Sequence, residues 1–334
     1  MNDTSKSNDA RFPKSPANTV LVTGAAGFIG SHLCELLASS GKQVIGVDNF
    51  DPYYSRIDKE HNVDCLRRAG ADFRESDIRD YGSIASLIDT TRPEVVVHLA
   101  AKAGVRNSVR FPRQYFETNL LGTQNVLDSC RALGVERLIY SSTSSVYGNT
   151  DQIPFNEDDP CIDPLHPYAA SKRSTELLAS TYAQLYGLQI TAVRLFTVYG
   201  ERGRPDMMPR MLLRSITDGV PVNLFEGPLA RDWTHVSDIV AGLAAAVDRP
   251  LGFETINLGR GKPVSLAGFI DELEEVSGEK ADLRPAPRPE SEMIETFADN
   301  TKMRELLRVE PQVSVEEGVA RLWDWWQKYR VDSQ

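Results

Sequence analysis

The sequence predicts an α/β fold: a doubly wound parallel sheet followed by a smaller C-terminal α/β lobe. Three observations predict it. From residue 18 to about 195, short β-branched runs alternate with amphipathic helical stretches, the pattern of parallel strands joined by crossover helices. The first of these strands ends in a glycine-rich turn that opens directly into a helix. After residue 196 the rhythm changes, and Gly, Pro and Arg become frequent.

In order, the strands read TVLVTG, QVIGVD, DFRESD, EVVVHLA, RLIYSS and QITAVRL, with Ile29–Ala38 and Tyr115–Leu133 as the clearest amphipathic helices between them. Together they assign residues 18–195 to the main domain. Helices are expected at 206–217, 265–276 and 314–330, in a substrate-covering lobe made of 196–231 and 259–330. THVSDIVAGLAAAV is the most apolar helix of this half, so 232–258 is expected to return to the main domain. The last helix carries Leu322, Trp325, Trp326 and Tyr329 at helical spacing, which reads as a packed apolar stripe rather than a ligand cage. No internal repeat interrupts this plan.

Composition narrows the function classes. The chain has 334 residues, of which 41% are hydrophobic and 25% charged, and its 37 basic and 47 acidic residues leave a net charge of −10. That balance argues against nucleic acid or an anionic membrane as partner, and it means that an anionic ligand needs a local cluster of arginines or a helix N-terminus. Cys34, Cys65, Cys130 and Cys161 lie far apart with no metal-ligand spacing, so neither zinc nor a disulfide framework is expected. His98 ends an apolar strand and His166 precedes a proline; both read as structural, and no metal site is expected. No apolar run approaches a membrane span, and residues 1–17 are polar, without the apolar stretch of a signal peptide. They are read as a disordered tail on a cytoplasmic protein.

The site residues gather at the C-terminal ends of the strands, where such sheets bind ligands. In VLVTGAAGFIGSHLCELL, Gly24, Gly27 and Gly30 follow the spacing GxxGxxG between a strand and a helix. The first permits the tight turn, the second lets a pyrophosphate approach the backbone, and the third allows close helix–strand packing. This is a Rossmann-type dinucleotide site. Asp48 ends the second strand, where a carboxylate accepts hydrogen bonds from a ribose diol and repels a 2′-phosphate, which favours NAD over NADP. Asp77, at the end of the third strand, is placed to meet the adenine amino group.

Tyr168 and Lys172 stand at i and i+4 in HPYAASKRSTELLA, about 5–6 Å apart between Cβ atoms on a helix. An ammonium beside a phenol is expected to pull the phenol's pKa down and make it a proton acceptor for a sugar hydroxyl while the adjoining carbon gives hydride to a nicotinamide. The strand end SSTSSVYG adds five hydroxyls and no acid.

Taken together, TGAAGFIG, VDNF, HLAA, SSTSSVYG, YAASK and RDWTHVSDIV make the chain resemble the extended short-chain dehydrogenase/reductase family, the NAD-dependent epimerases and dehydratases. The resemblance implies that Thr143 is the third catalytic residue beside Tyr168 and Lys172. It implies NAD contacts at Gly24, Gly27, Phe28, Ile29, Gly30, Asp48, Asn49, Phe50, Asp77, Ile78, Leu99, Ala100, Ala101, Asn119, Ser142, Tyr168 and Lys172. Related dehydratases and decarboxylases carry an acid just after the catalytic hydroxyl, where this chain has Ser144 and Ser145; neither is a useful base at neutral pH. A 4-keto sugar in such a site can only take its hydride back, which is epimerisation at C4.

The stretch LFTVYGERGRPDM resembles that of UDP-glucuronate 4-epimerases. It implies that Thr197 and Arg204, with Ser144 and Ser145, hold the sugar carboxylate of UDP-glucuronate on its way to UDP-galacturonate. Arg231, Arg106 and Arg288 are assigned to the diphosphate and nucleotide, and Arg202 to a solvated turn. The alternatives are a UDP-glucose or UDP-N-acetylhexosamine 4-epimerase, a UDP-glucuronate decarboxylase or 4,6-dehydratase, and a non-catalytic NAD-binding module. Helices near 108–133 and 168–186 are the surfaces of the implied homodimer. Three places depart from the family pattern: Glu201 for a common proline, FEGPLARDW without Gly-Asp-Gly, and RPESEM for Pro-Gly-Asp.

Overall fold

A computed structural model of the chain describes residues 17–332. The expected N-terminal tail lies outside the described residues except for Ala17, which is buried. The chain begins with β1 (Thr19–Thr23), α1 (Phe28–Ser39), β2 (Gln43–Asp48), α2 (Arg56–Arg68), β3 (Asp72–Glu75), α3 (Tyr81–Thr91) and β4 (Val95–His98). Two short helices follow, α4 (Val105–Arg110) and α5 (Pro112–Tyr115), then a π-helical segment (Phe116–Leu121) and α6 (Gly122–Leu133). β5 (Arg137–Thr143), a 3₁₀ turn (Ser144–Tyr147), α7 (Pro167–Tyr186) and β6 (Gln189–Leu195) complete the first half. The stretch expected as one helix over Tyr115–Leu133 therefore changes its hydrogen-bonding pattern in the middle, as π segments near functional sites often do.

The second half contains β7 (Thr197–Tyr199), α8 (Met208–Asp218), β8 (Val222–Phe225), β9 (Ala230–Arg231), β10 (Trp233–His235), α9 (Val236–Asp248), β11 (Phe253–Leu258), β12 (Val264–Ser265), α10 (Leu266–Ser277), β13 (Leu283–Ala286), β14 (Glu295–Thr296) and α11 (Val315–Asp332). The main sheet has seven strands in the order β11-β6-β5-β4-β1-β2-β3, and every neighbouring pair is parallel. Strand β1 has β2 on one side and β4 on the other, so the connections after β1 and β4 diverge and open a crevice at their C-terminal ends.

Both faces of this sheet are covered at its centre, where β1 and β4 are nearly continuous apolar runs. Val20 and Val22 of β1 pack with Leu33 and Leu37 of α1 and with Ile239 and Leu243 of α9. One residue out of phase, Leu21 and Val96 face the opposite layer with Ile84 and Ile88 of α3, Val126 and Leu127 of α6 and Tyr182 of α7. Thus α9 and β11 lie with the main sheet, on chain that follows a stretch of the smaller lobe. That lobe has its own core around Tyr199, Leu212, Trp233, Phe269, Leu273, Val319, Leu322 and Trp326. The C-terminal aromatic stripe is packed there, and its rings enclose a cation: the Arg210 guanidinium lies 5.1, 4.9 and 4.9 Å from the ring centres of Trp325, Trp326 and Tyr329. Among the described residues all four cysteines are free, no cluster of metal-ligating side chains occurs, and no helix is long and apolar enough to cross a membrane.

Candidate active site

A cleft of about 690 Å³ opens at the C-terminal ends of the central strands, between the sheet and the smaller lobe. Its floor is the glycine turn. Gly24 has φ +75, and a Cβ there would stand 2.7 Å from the backbone nitrogen of Ala100, across the crevice between β1 and β4. A Cβ on Gly30 would come within 2.1 Å of the Gly24 carbonyl, so the bare glycine sets how closely α1 sits on the turn. Gly27 is the N-cap of α1 and supplies no side-chain cap, leaving the first-turn N–H groups free for an anion. This cradle fits the diphosphate of a dinucleotide.

Asp48, at the end of β2, faces the same cleft. Its Oδ1 accepts from the Phe50 N–H at 2.8 Å, and Lys59 Nζ lies 4.0 Å away. Burial pushes this carboxyl up, and the Lys59 charge works against that push. Phe28, Ile29, Asn49, Ile78, Leu99, Ala100, Ala101 and Ser142 also line the cleft. Phe50, Asp77, Asn119 and Arg288 are not among its lining residues. Asp77 lies beyond the end of β3 and is committed to Arg79, which chelates it, and to the Asn49 amide at 3.0 Å; Arg79 holds its carboxyl down at about 2. Asn119 is a buried brace that accepts from Lys102 N at 2.7 Å and donates to Ser171 Oγ at 2.9 Å.

The catalytic candidates converge from two elements. β5 delivers Thr143, whose hydroxyl accepts from Ser145 N at 3.2 Å and stands on the Tyr168 side of the cleft, where it opposes the rise of the phenol. α7 delivers Tyr168 and Lys172. It starts at Pro167 behind His166, whose Nδ1 accepts from Ala169 N at 3.2 Å, and it stops at Gly187 in the left-handed region. The His166 ring is neutral, lowered to about 4 by burial, and stacks parallel to Tyr168 at 6.0 Å. Ser142 points the other way and gives its hydroxyl to Glu176 Oε1 at 2.6 Å. That carboxylate is fully engaged: Arg194 chelates it at 3.0 and 2.9 Å, and Arg173 adds a contact at 2.8 Å.

Burial lowers Lys172 to about 8, with the Glu176 carboxylate resisting the shift. The expectation of a depressed phenol is not met in the protein alone. Burial raises Tyr168, and the groups that oppose it are the Thr143 hydroxyl and the Arg204 charge. His98 is a buried brace: Nδ1 meets Thr23 Oγ1 at 2.7 Å and Nε2 meets Thr123 Oγ1 at 3.0 Å, and burial lowers the ring to about 3.

Ser144, Ser145, Thr197, Arg204, Arg231 and Arg106 line the rest of the cleft. Arg204 is gripped side-on by Asp206, with Nε on Oδ1 and Nη2 on Oδ2, both at 2.9 Å. Arg231 is almost buried and gives its donors to the carbonyls of Ala230, Ile294 and Met293 and to the Glu292 carboxylate. Arg106 lies 5.0 Å from the Phe225 ring, and Arg288 turns to the Glu292 carbonyl at 2.7 Å. Arg202 is corrected: its side chain is not solvated but 8% exposed, on a backbone of φ +59, in an ion pair with Glu35 of α1. Glu201, which replaces a common family proline, lies 3.2 Å from His235 Nε2; burial opposes its ionisation, and that imidazole still holds it down to about 2.

Sequence reasoning missed Tyr53, Asp206, Glu292, Glu176 and Arg194. The spacing of Glu176, four residues after Lys172, and of Asp206, two residues after Arg204, were usable signals; Tyr53, Glu292 and Arg194 depend on contacts farther apart in the chain.

Known proteins resemble this chain over nearly its whole length. It is 41% identical over 308 residues to a UDP-glucuronate 4-epimerase of Thermodesulfobacterium geofontis, covering 91% of this chain and 95% of that one. The structure of the UDP-glucuronic acid 4-epimerase of Bacillus cereus, in complex with UDP-glucuronic acid and NAD, superposes with a TM-score of 0.87 at 34% identity, covering 93% of this chain and 99% of that one. A UDP-glucose 4-epimerase of Thermotoga maritima with UDP-glucose superposes with a TM-score of 0.85 at 33% identity, with the same coverage. The model of the NAD dependent epimerase/dehydratase family matches residues 20–259, and with the glycine cradle, Thr143, Tyr168 and Lys172 around one cleft, the chain belongs to that family.

Proposed function

We propose that the protein is an NAD-dependent 4-epimerase of a UDP-sugar that converts UDP-glucuronate to UDP-galacturonate. One observation carries the choice: Thr143, Ser144, Ser145 and Arg204 line the cleft that Tyr168 enters, and no acid stands at 144 or 145. NAD, held on the cradle of Gly24, Gly27 and Gly30, would supply a hydride acceptor and donor at C4.

The protein's own groups do the rest. Thr143 and Tyr168 are placed on one cleft to hold O4, and Tyr168 receives its proton. The Arg204 guanidinium opposes the rise of the phenol, and Lys172, one helical turn from Tyr168 and charged below about 8, is assigned the second cation that favours a phenolate. The serines at 144 and 145 lack the basicity to draw a proton from C5, which closes the base-driven elimination route to the ketone. Thr197, Ser144, Ser145 and Arg204 hold the sugar carboxylate with directional donors. Arg231 and Arg106 supply positive charge for the diphosphate in a protein of net charge −10.

A neutral UDP-sugar is the second reading, favoured by the prior engagement of Arg204 with Asp206. The two are separated by kcat/KM for UDP-glucuronate and UDP-glucose in the wild type and in Arg204→Ala. The first reading predicts a preference for the acid that Arg204→Ala abolishes; comparable use of both sugars by both proteins contradicts it. Tyr168→Phe should lower turnover by about 10²–10⁴-fold with NAD still bound.

We further propose a homodimer through α4, the π segment, α6 and α7. Val109, Phe111, Phe116, Leu121, Leu177, Leu185 and Tyr186 leave large apolar surface exposed there. Sedimentation equilibrium giving a monomer would refute it.

A further inference from the structure

The Arg204 guanidinium does not wait for substrate as a free cation. Its Nε and Nη2 edge is closed by both oxygens of Asp206, which leaves only Nη1 and the second Nη2 hydrogen to bond anything else. Asp206 is anchored in turn by a residue 153 positions away: the Tyr53 hydroxyl donates to Asp206 Oδ2 at 2.8 Å. Tyr53 lies in the connection after β2, five residues beyond Asp48, and its ring sits 5.6 Å from the Arg204 guanidinium. Room for this contact comes from Gly104, where a Cβ would stand 2.3 Å from the Tyr53 oxygen. Burial pushes the Asp206 carboxyl up, but Arg204 and Tyr53 hold it below the usual carboxylate range, so it stays ionised. All three side chains line the cleft.

We propose that Asp206 and Tyr53 are positioning residues that fix the plane of the Arg204 fork and thereby decide whether the oxidised sugar keeps its carboxylate; this rests on UDP-glucuronate being the substrate. A 4-keto glucuronate is a β-keto acid. It decarboxylates when the C5–C6 bond lies parallel to the carbonyl π system. That bond then breaks, its electron pair enters C5–C4 to give the enolate at O4, CO2 leaves, and C5 takes a proton. A guanidinium free to rotate about its own stem would follow the carboxylate into that alignment. One clamped along its Nε edge offers a single remaining edge at a fixed angle, and the carboxylate that pairs with it is held in the plane which that edge defines. Tyr53 connects this constraint to the nucleotide side of the cleft.

The test measures product partition, which a merely structural role would not move. Wild type, Asp206→Asn, Asp206→Glu and Tyr53→Phe are incubated with UDP-glucuronate, and CO2 release is compared with C4 inversion; melting temperature and NAD affinity are followed for each. Asp206→Asn is expected to raise the ratio of CO2 to inversion by about ten-fold or more, the size of one lost charge-assisted hydrogen bond in the competing barriers. Tyr53→Phe should raise it less, and Asp206→Glu should restore it towards the wild-type value. Tyr53→Phe removes one hydroxyl and serves if Asp206→Asn does not fold. Normal turnover of UDP-glucuronate with an unchanged partition in folded Asp206→Asn and Tyr53→Phe would overturn this inference alone. Absence of UDP-glucuronate turnover in the wild type would overturn the substrate reading, and the inference with it.

Discussion

Arg194→Met should destabilise the fold by about 3 kcal/mol, because it strips the principal partner from a buried carboxylate. Arg194 near the end of β6 and Glu176 on α7 are both buried, with side chains only 3% exposed, and meet through two hydrogen bonds at 3.0 and 2.9 Å. Breaking such a pair by removing one partner costs about 3–5 kcal/mol. The lower end applies here, since Ser142 at 2.6 Å and Arg173 at 2.8 Å remain on the same carboxylate. Arg194 also gives up its place 4.7 Å from the Tyr147 ring.

For a chain of this size the loss corresponds to a fall in Tm of about 4 °C. Differential scanning calorimetry at pH 7 measures it directly. The Arg194→Met/Glu176→Leu double variant should recover most of the loss, because no uncompensated charge is then buried. A single variant melting within about 1 °C of the wild type would show that the pair contributes little, and would refute the reasoning.

Gly30→Ala should abolish NAD binding and cost at least about 1–3 kcal/mol, since its Cβ would meet the Gly24 carbonyl at 2.1 Å; an NAD titration and a thermal melt check both. Asp48→Ala should weaken NAD and relax discrimination against NADP, and an unchanged cofactor ratio would refute the assignment. Activity that requires the Lys172 ammonium should decline as pH rises through about 8, and Glu176→Gln, by removing the carboxylate that opposes the shift, should move that limb to lower pH. Stability should fall as pH drops below about 6.5: the unfolded chain then protonates His98, whereas the native ring stays neutral down to about 3, so the native state binds fewer protons. His98→Gln should flatten that acid slope in calorimetry.

The parts of this protein legible in its sequence are those that rest on local constraints. Gly24 and Gly30 are readable because a left-handed turn and a close helix contact exclude any Cβ, wherever the rest of the chain goes. Tyr168 and Lys172 are readable because helical spacing brings them together. The central strands are readable because a sheet covered on both faces needs unbroken apolar runs. What escaped was decided at long range. Arg202 and Arg204 look alike in the turn, yet one is drawn to Glu35 on α1 and the other to the cleft. Tyr53 and Asp206 meet across 153 residues, which no periodicity records. The short strands β7 to β10 and β12 to β14 have two to four residues each, too few for an alternating pattern to register.

An oxidised sugar in this cleft is expected to be reduced again at the carbon that was oxidised, with its carboxylate kept. UDP-glucuronate carrying deuterium at C4 tests it in a single experiment, read by NMR of the sugar. The expected product is UDP-galacturonate that retains deuterium at C4 and carbon at C6. Loss of the label to solvent, or a pentose product formed as fast as the epimer, would contradict it.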